Sequence, residues 1–182
     1  MIALIVIVVI LVLAAVWAVS CYNSFVMTRN RAEEAMSALE AHMKQRYDLI
    51  PNLVETVKGY AGHESRTLEN VISARNRAMQ AGAAGGAREE DILSGTLKSL
   101  FALSESYPDL KANAGFLDLQ QKLAALEDDI LNARKYYNAV VRTMNDKIAM
   151  FPSSIIASIF HFRKLSYIEI DEKEEAVPEV RF

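Results

Sequence analysis

Every residue from Ile2 to Val19 is apolar, and the first charge beyond that run is Arg29. At roughly 1.5 Å per residue the run makes a helix about 27 Å long, close to the roughly 30 Å of a bilayer's hydrocarbon core. Trp17, Tyr22 and Phe25 place amphipathic rings where an interface belt lies. The pattern predicts a single transmembrane anchor over residues 1–28. Ala32, Ala35, Met36, Leu39 and Met43 then continue a helical stripe with no Gly or Pro before Pro51. The anchor helix is therefore expected to run straight into a helical bundle over residues 29–152.

The apolar face resumes at Ile50, Leu53, Val57 and Tyr60. Pro51 removes an amide donor and disfavours helical angles at Ile50, which predicts a kink or break there. One helix is expected to reach about Ala81, with Gly59 and Gly62 as the place for an interruption. Gly82, Gly85 and Gly86 mark a loop. The next helix, about Glu89 to Ser106, carries Leu93, Leu97, Leu100, Phe101 and Leu103 and is stopped by Tyr107-Pro108, with a short turn to Asn113. The longest periodic signal follows: Phe116, Leu119, Leu123, Leu126, Ile130, Ala133, Tyr137, Val140, Met144 and Ile148 form a seam suited to packing at a shallow crossing angle, ended by Phe151-Pro152. The fold class is all-α, a single N-terminal transmembrane helix continuing into an antiparallel four-helix-type bundle with a kinked first helix. No convincing internal repeat is present; Ile72-Ser73-Ala74-Arg75 and Ile130-Leu131-Asn132-Ala133-Arg134 echo each other weakly.

Residues 153–170 hold the apolar segment Ile155 to Phe162, too short to span and expected to pack on the bundle or the membrane. The acidic stretch 171–182 can bury almost nothing and is expected to be disordered. It carries the whole formal charge of −3, and the chain before it sums to zero. That balance disfavours nucleic acid as a partner.

Orientation follows from the flanks. No Lys or Arg precedes the apolar run, whereas Arg29 and Arg31 follow it, which places the bundle in the cytoplasm and the N-terminus outside. An alternative starts from Ala18-Val19-Ser20-Cys21, which loosely resembles a lipobox and would make the chain a lipoprotein anchored through Cys21. It lacks a basic stretch before the apolar run and has Ala18 where leucine is usual.

The sequence carries no recognisable catalytic kit. A di-metal bundle site needs Glu-x-x-His on two helices, but Leu39, Tyr60 and Ser158 stand three residues before His42, His63 and His161. His63-Glu64 begins like a zinc-protease motif, yet Thr67 occupies the place of its second imidazole. No serine sits in a Gly-x-Ser-x-Gly setting, and the glycines at Gly82 to Gly86 follow a helix, where a phosphate loop would follow a strand. Neither an enzyme, a metal site nor a cofactor is indicated. Lys44, Arg46, Asp48, Glu55 and Lys58 read as a solvated face. Tyr47, Asn52, Tyr60, Tyr107, Asn113, Tyr137 and Asn138 read as polar anchors within the core. A partner patch, if the chain carries one, is sought at Arg46, Tyr47, Asp48, Pro51 and Asn52 and at Ile155, Ile156, Ile159, Phe160 and Phe162. Ala14 and Ala18 form a small-xxx-small pair for helix packing.

The stretch Arg46-Tyr47-Asp48-Leu49-Ile50-Pro51-Asn52-Leu53-Val54-Glu55-Thr56-Val57-Lys58-Gly59-Tyr60-Ala61, followed by His63-Glu64, resembles the signature of the LemA family of bacterial membrane proteins. Tyr22-Asn23, Arg29-Asn30, Tyr107 to Asn113, Phe116, Leu119-Gln120, Ala133-Arg134, Tyr137-Asn138 and Phe151-Pro152 follow in the family's order, while Met36 stands where the family often has tryptophan. The resemblance implies one membrane anchor followed by a helical bundle and names no reaction. The expected function is a non-enzymatic scaffold or adaptor of the bacterial inner membrane. Its expected partners are the lipid bilayer, further copies of the chain and an unidentified membrane protein. The rival is an accessory or regulatory subunit of a membrane enzyme such as a protease.

Overall fold

The computed structural model describes residues 1–169, and the acidic stretch expected to be disordered lies outside them. The order is α1 (Ile2–Lys58), α2 (Ser65–Gly85), α3 (Ala87–Leu103), a 3-10 turn (Ser104–Ser106), α4 (Pro108–Lys111), α5 (Ala114–Ala149) and α6 (Ser153–Ile159). The described residues contain no strand. They form two compact units: Met1–Ala35 with Tyr136–Tyr167, and Met36–Lys135 with Ile168 and Glu169.

In the first unit, the apolar run of α1 is long and apolar enough to cross a membrane and is not covered by the other described residues. Burial begins where the run ends. Phe25, Met144, Ile156 and Ala157 form a core, with Ala18, Cys21, Ile148, Phe162 and Leu165 packed around it. Phe162 stacks on Phe25 with ring centroids 4.7 Å apart, and Tyr22 meets Phe160 at 4.7 Å. A Schellman turn brings Phe162 back into this core. The Phe162 amide donates to the Ala157 carbonyl at 2.9 Å and the His161 amide to Ser158 at 3.3 Å, with His161 at φ 56°, in the left-handed region usually left to glycine. The Asn145 amide then clamps the returning strand of chain, accepting from the Leu165 N–H at 2.9 Å and donating to its carbonyl at 3.0 Å. Lys147 Nζ donates to Ser24 Oγ at 2.8 Å and Thr28 Oγ1 at 2.6 Å, tying α5 to α1.

The second unit is built on the stripe Leu39, Met43, Ile50, Leu53 and Val57 of α1. It packs α2 through Leu68, Val71, Ala74 and Ala78, α3 through Leu93, Leu97 and Leu100, and α5 through Phe116, Leu123, Leu126 and Ile130. The helix expected to reach Ala81 is two helices. After Lys58 the chain turns through Gly59 to Glu64, with the Ala61 amide on the Val57 carbonyl at 2.8 Å and the Glu64 amide on Ala61 at 3.0 Å. The loop expected at Gly82 to Gly86 is narrower than anticipated. Helical structure persists to Gly85 across a single residue, Gly82, at φ 67°, and only Gly86 separates α2 from α3. A Cβ on Gly86 would fall on the Gly82 carbonyl oxygen, so α2 can fold back on α3 this closely only with glycine there.

The X-Pro steps at Ile50-Pro51 and Tyr107-Pro108 behave differently. Tyr107 leaves the helical region (φ −126°, ψ 85°) and Pro108 opens α4, as the steric rule requires. At Ile50-Pro51 the expected break does not occur, and α1 is helical without interruption from Ile2 to Lys58 with Pro51 inside it. Pro51 leaves the Tyr47 carbonyl without its i+4 donor, and Arg75 Nε supplies one across from α2 at 2.7 Å. Ile50 is fully buried, so leaving the helix there would also remove a core side chain.

Seven of the ten seam positions on α5 are buried, and Leu119, Ala133 and Ile148 are half-buried. Leu126→Ala and Ile130→Ala are each expected to cost about 2 to 5 kcal/mol in urea unfolding of the detergent-solubilised chain. Leu117→Ala, at a position 40% exposed, should cost less than about 0.5 kcal/mol. Equal losses at all three positions would show that the seam is not the core.

Candidate functional site

The polar centre of the second unit lies on the apolar stripe itself. Between Met43 and Ile50, α1 presents Arg46, 1% exposed, as the next buried residue in the stripe. Its Nη2 pairs with the Glu90 carboxylate from α3, itself 2% exposed, and its Nη1 with Glu127 from α5. Ser94 joins them, accepting from Arg46 Nη1 at 3.2 Å and donating to Glu127 Oε1 at 2.5 Å. The Tyr47 hydroxyl donates to Glu90 Oε1, and the Tyr47 carbonyl is the one held by Arg75. Arg134, buried on α5, is close enough to act on the Arg46 charge.

Burial dominates the electrostatics. It pushes the Arg46 guanidinium below its ordinary value, against the opposing pull of Glu127 and Tyr47, and it raises the Tyr47 hydroxyl above the usual phenol value. An unpaired ion here would cost several kcal/mol, and the two carboxylates are what make a buried guanidinium tolerable. The void beside Arg46, Ser94, Glu127, Ile130 and Arg134 is about 10 Å³, room for no more than about one water. The constellation joins α1, α3 and α5 through buried charge. Among the described residues, no three His, Cys, Asp or Glu side chains gather so as to hold a metal ion.

Arg46, expected on the solvated face and within a partner patch, is a core residue, and Tyr47 is buried beside it. Only Asp48 and Asn52 of that stretch are exposed, with Pro51 half-buried. The reason is register: Arg46 falls three residues after Met43 and four before Ile50, on the same face as both. In the first unit, Ile156 is buried and Phe162 half-buried, while Ile155, Ile159 and Phe160 face outward. Ala14 is exposed, but Ala18 packs against its own chain's core, as does Cys21. Of the residues expected as polar anchors within the core, Tyr47 and Tyr137 are buried, Tyr107, Asn113 and Asn138 are half-buried, and Asn52 and Tyr60 are exposed. Tyr107 donates to Glu64 at 3.2 Å, Asn113 to the Tyr60 hydroxyl at 2.9 Å and Tyr137 to the Ser166 carbonyl at 3.3 Å. Sequence reasoning missed Arg75, Glu90, Ser94 and Glu127. The available signal was Glu90, three residues before Leu93 and in phase with Leu97 and Leu100.

These features define an all-α protein with one apolar N-terminal helix and a bundle latched by buried charge. The chain belongs to the LemA family, whose model matches residues 35–182. Protein LemA of Metamycoplasma hominis is 24% identical over 165 residues, covering 84% of this chain and 74% of the relative. Magnetosome protein MamQ 2 of Paramagnetospirillum magneticum is 25% identical over 175 residues, covering 81% of this chain and 64% of the relative. Magnetosome protein MamQ of Magnetospirillum gryphiswaldense is 24% identical over 173 residues, covering 80% and 64%. The chain thus spans just under two thirds of the length of the MamQ relatives. None of these names states a reaction.

Arg46→Met should destabilise the chain by about 3 to 5 kcal/mol, because Glu90 is left buried with its cation gone, and Arg46→Met with Glu90→Met should recover much of that loss. Denaturant midpoints of both variants check this. Arg75→Ala should cost about 1 to 3 kcal/mol through the orphaned Tyr47 carbonyl. In a Pro51→Ala background the new amide satisfies that carbonyl within α1, so the same Arg75→Ala change should cost measurably less. Equal costs in the two backgrounds would show that Arg75 does not serve the proline.

Proposed function

We propose that the chain is a non-enzymatic, membrane-anchored helical scaffold or adaptor of the bacterial inner membrane, its bundle in the cytoplasm, working as a homo-oligomer. The observation that carries this reading is the uninterrupted course of α1 from the apolar run to Lys58, through a proline that is neutralised and not removed. A helix kept whole in this way suits a protein that holds its bundle to a membrane. The buried charges are used in joining helices, which also fits a structural role. Arg29 and Arg31 after the run support the cytoplasmic side. Contact between copies within the bilayer would use the exposed Ala14 face, since Ala18 is engaged by its own chain.

A second reading, an accessory subunit of a membrane enzyme, is favoured by one feature of the second unit. A groove of about 580 Å³ lies along α1 and α2, floored by Val54, Leu68 and Ile72 and rimmed by Lys58, Glu69 and Arg77. It is of a size to take a partner's apolar side chains.

A photo-crosslinker at exposed Asp48 or at Asn76 in the groove, used in native membranes, should give products at multiples of the chain's own mass. A single defined enzyme captured from Asn76 would replace the first reading with the second. In spheroplasts, added protease should spare everything after Arg29, and digestion of the bundle from outside would overturn the orientation.

A further inference from the structure

The C-terminal segment of the first unit has two faces. Ile156 and Ala157 of α6 are buried in the core, while Met150, Phe151, Ile155, Ile159 and Phe160 are exposed. Phe151 is 81% exposed and Ile159 60%, unusual for residues of this size in a folded unit.

The level of this segment along α1 identifies what covers it. The residues of α1 gathered with it in one core are Ala18, Cys21 and Phe25, and Tyr22 touches Phe160 and Phe162 with centroids 4.7 and 5.8 Å away. Ala18 belongs to the apolar run, one residue from its end at Val19. The segment therefore packs against the last turn of the membrane-spanning stretch and the two turns after it, where headgroups begin. Its charge agrees with that level. Between Asp146 and Glu169 the sequence has no acidic residue, and Lys147, Arg163 and Lys164 lie within that interval. Arg163 and Lys164 are exposed immediately after the aromatic pair Phe160 and Phe162. Exposed apolar rings and aliphatics beside exposed cations, at the end of a spanning helix, are the chemistry that meets an anionic headgroup layer.

We propose that Met150, Phe151, Ile155, Ile159 and Phe160 form an interfacial platform that lies in the headgroup and upper acyl region of the bilayer entered by α1. The platform gives the chain a second, shallow membrane contact, which fixes the first unit against the surface and limits its rotation about α1. The inference rests on α1 being inserted, and the test reads that separately.

The full chain is reconstituted in vesicles of phosphatidylethanolamine and phosphatidylglycerol, with part of the lipid brominated high on the acyl chain. Trp17, the one tryptophan, reports insertion of α1 in the native sequence. In a Trp17→Phe background, Phe151→Trp and Ile159→Trp report the platform, and Tyr136→Trp, at an exposed position elsewhere on α5, serves as the control. The platform tryptophans should emit at blue-shifted wavelengths and lose roughly half their intensity to brominated lipid, while the control is unaffected. Replacing phosphatidylglycerol by phosphatidylcholine should weaken the quenching. Quenching of Trp17 with none at 151 or 159 would overturn the platform and leave the anchor standing. Absence of quenching at all three positions would overturn both. A blue shift that grows with protein-to-lipid ratio without quenching would assign the face to a second copy and equally overturn the proposal.

Discussion

A guanidinium buried among three helices is the constraint on which the second unit depends. Arg46 cannot shed its charge, and its burial is tolerable only while Glu90 and Glu127 reach it from α3 and α5. A purely aliphatic seam would let helices slide by a turn at modest expense. A cation that must meet two carboxylates and Ser94 accepts one alignment of α1, α3 and α5 and penalises the others by an uncompensated charge. Specificity of register is the contribution of such a network, more than net stability, since well-packed apolar residues of similar volume could hold the same space.

One residue along, the same region solves a second problem. Pro51 would end or bend a helix on its own, and the carbonyl it orphans belongs to Tyr47, whose hydroxyl is already committed to Glu90. Arg75 reaches that carbonyl from α2. The network thus enlists all four long elements of the unit, with α2 held through the backbone of α1 and α3 and α5 held through its side chain. At Tyr107-Pro108 the chain obeys the local rule by leaving the helix, and the Ser104 carbonyl accepts from the Tyr107 amide at 3.0 Å.

The first unit is held differently, by stacked rings and by amides and an amine reaching to backbone or hydroxyl oxygens: Asn145 on Leu165, and Lys147 on Ser24 and Thr28. Among the described residues no buried carboxylate belongs to this unit, and its outer apolar residues are exposed.

The sequence by itself determined the elements. An apolar run of bilayer length, a seam with alternating steps of three and four, and a helix stopped at Tyr107-Pro108 follow from side-chain periodicity and local sterics, which depend on neighbours a few residues away. Tertiary structure decided what happens at Pro51 and at Arg46. Whether a proline breaks a helix depends on whether a donor from elsewhere reaches the orphaned carbonyl, and Arg75 is 28 residues from Tyr47. Whether an arginine in a helical stripe is surface or core depends on carboxylates 44 and 81 positions away. Composition and spacing along one chain do not show which distant charges the fold brings together, and that pairing accompanies a helix that continues through Pro51 and places Arg46 and Tyr47 in the core.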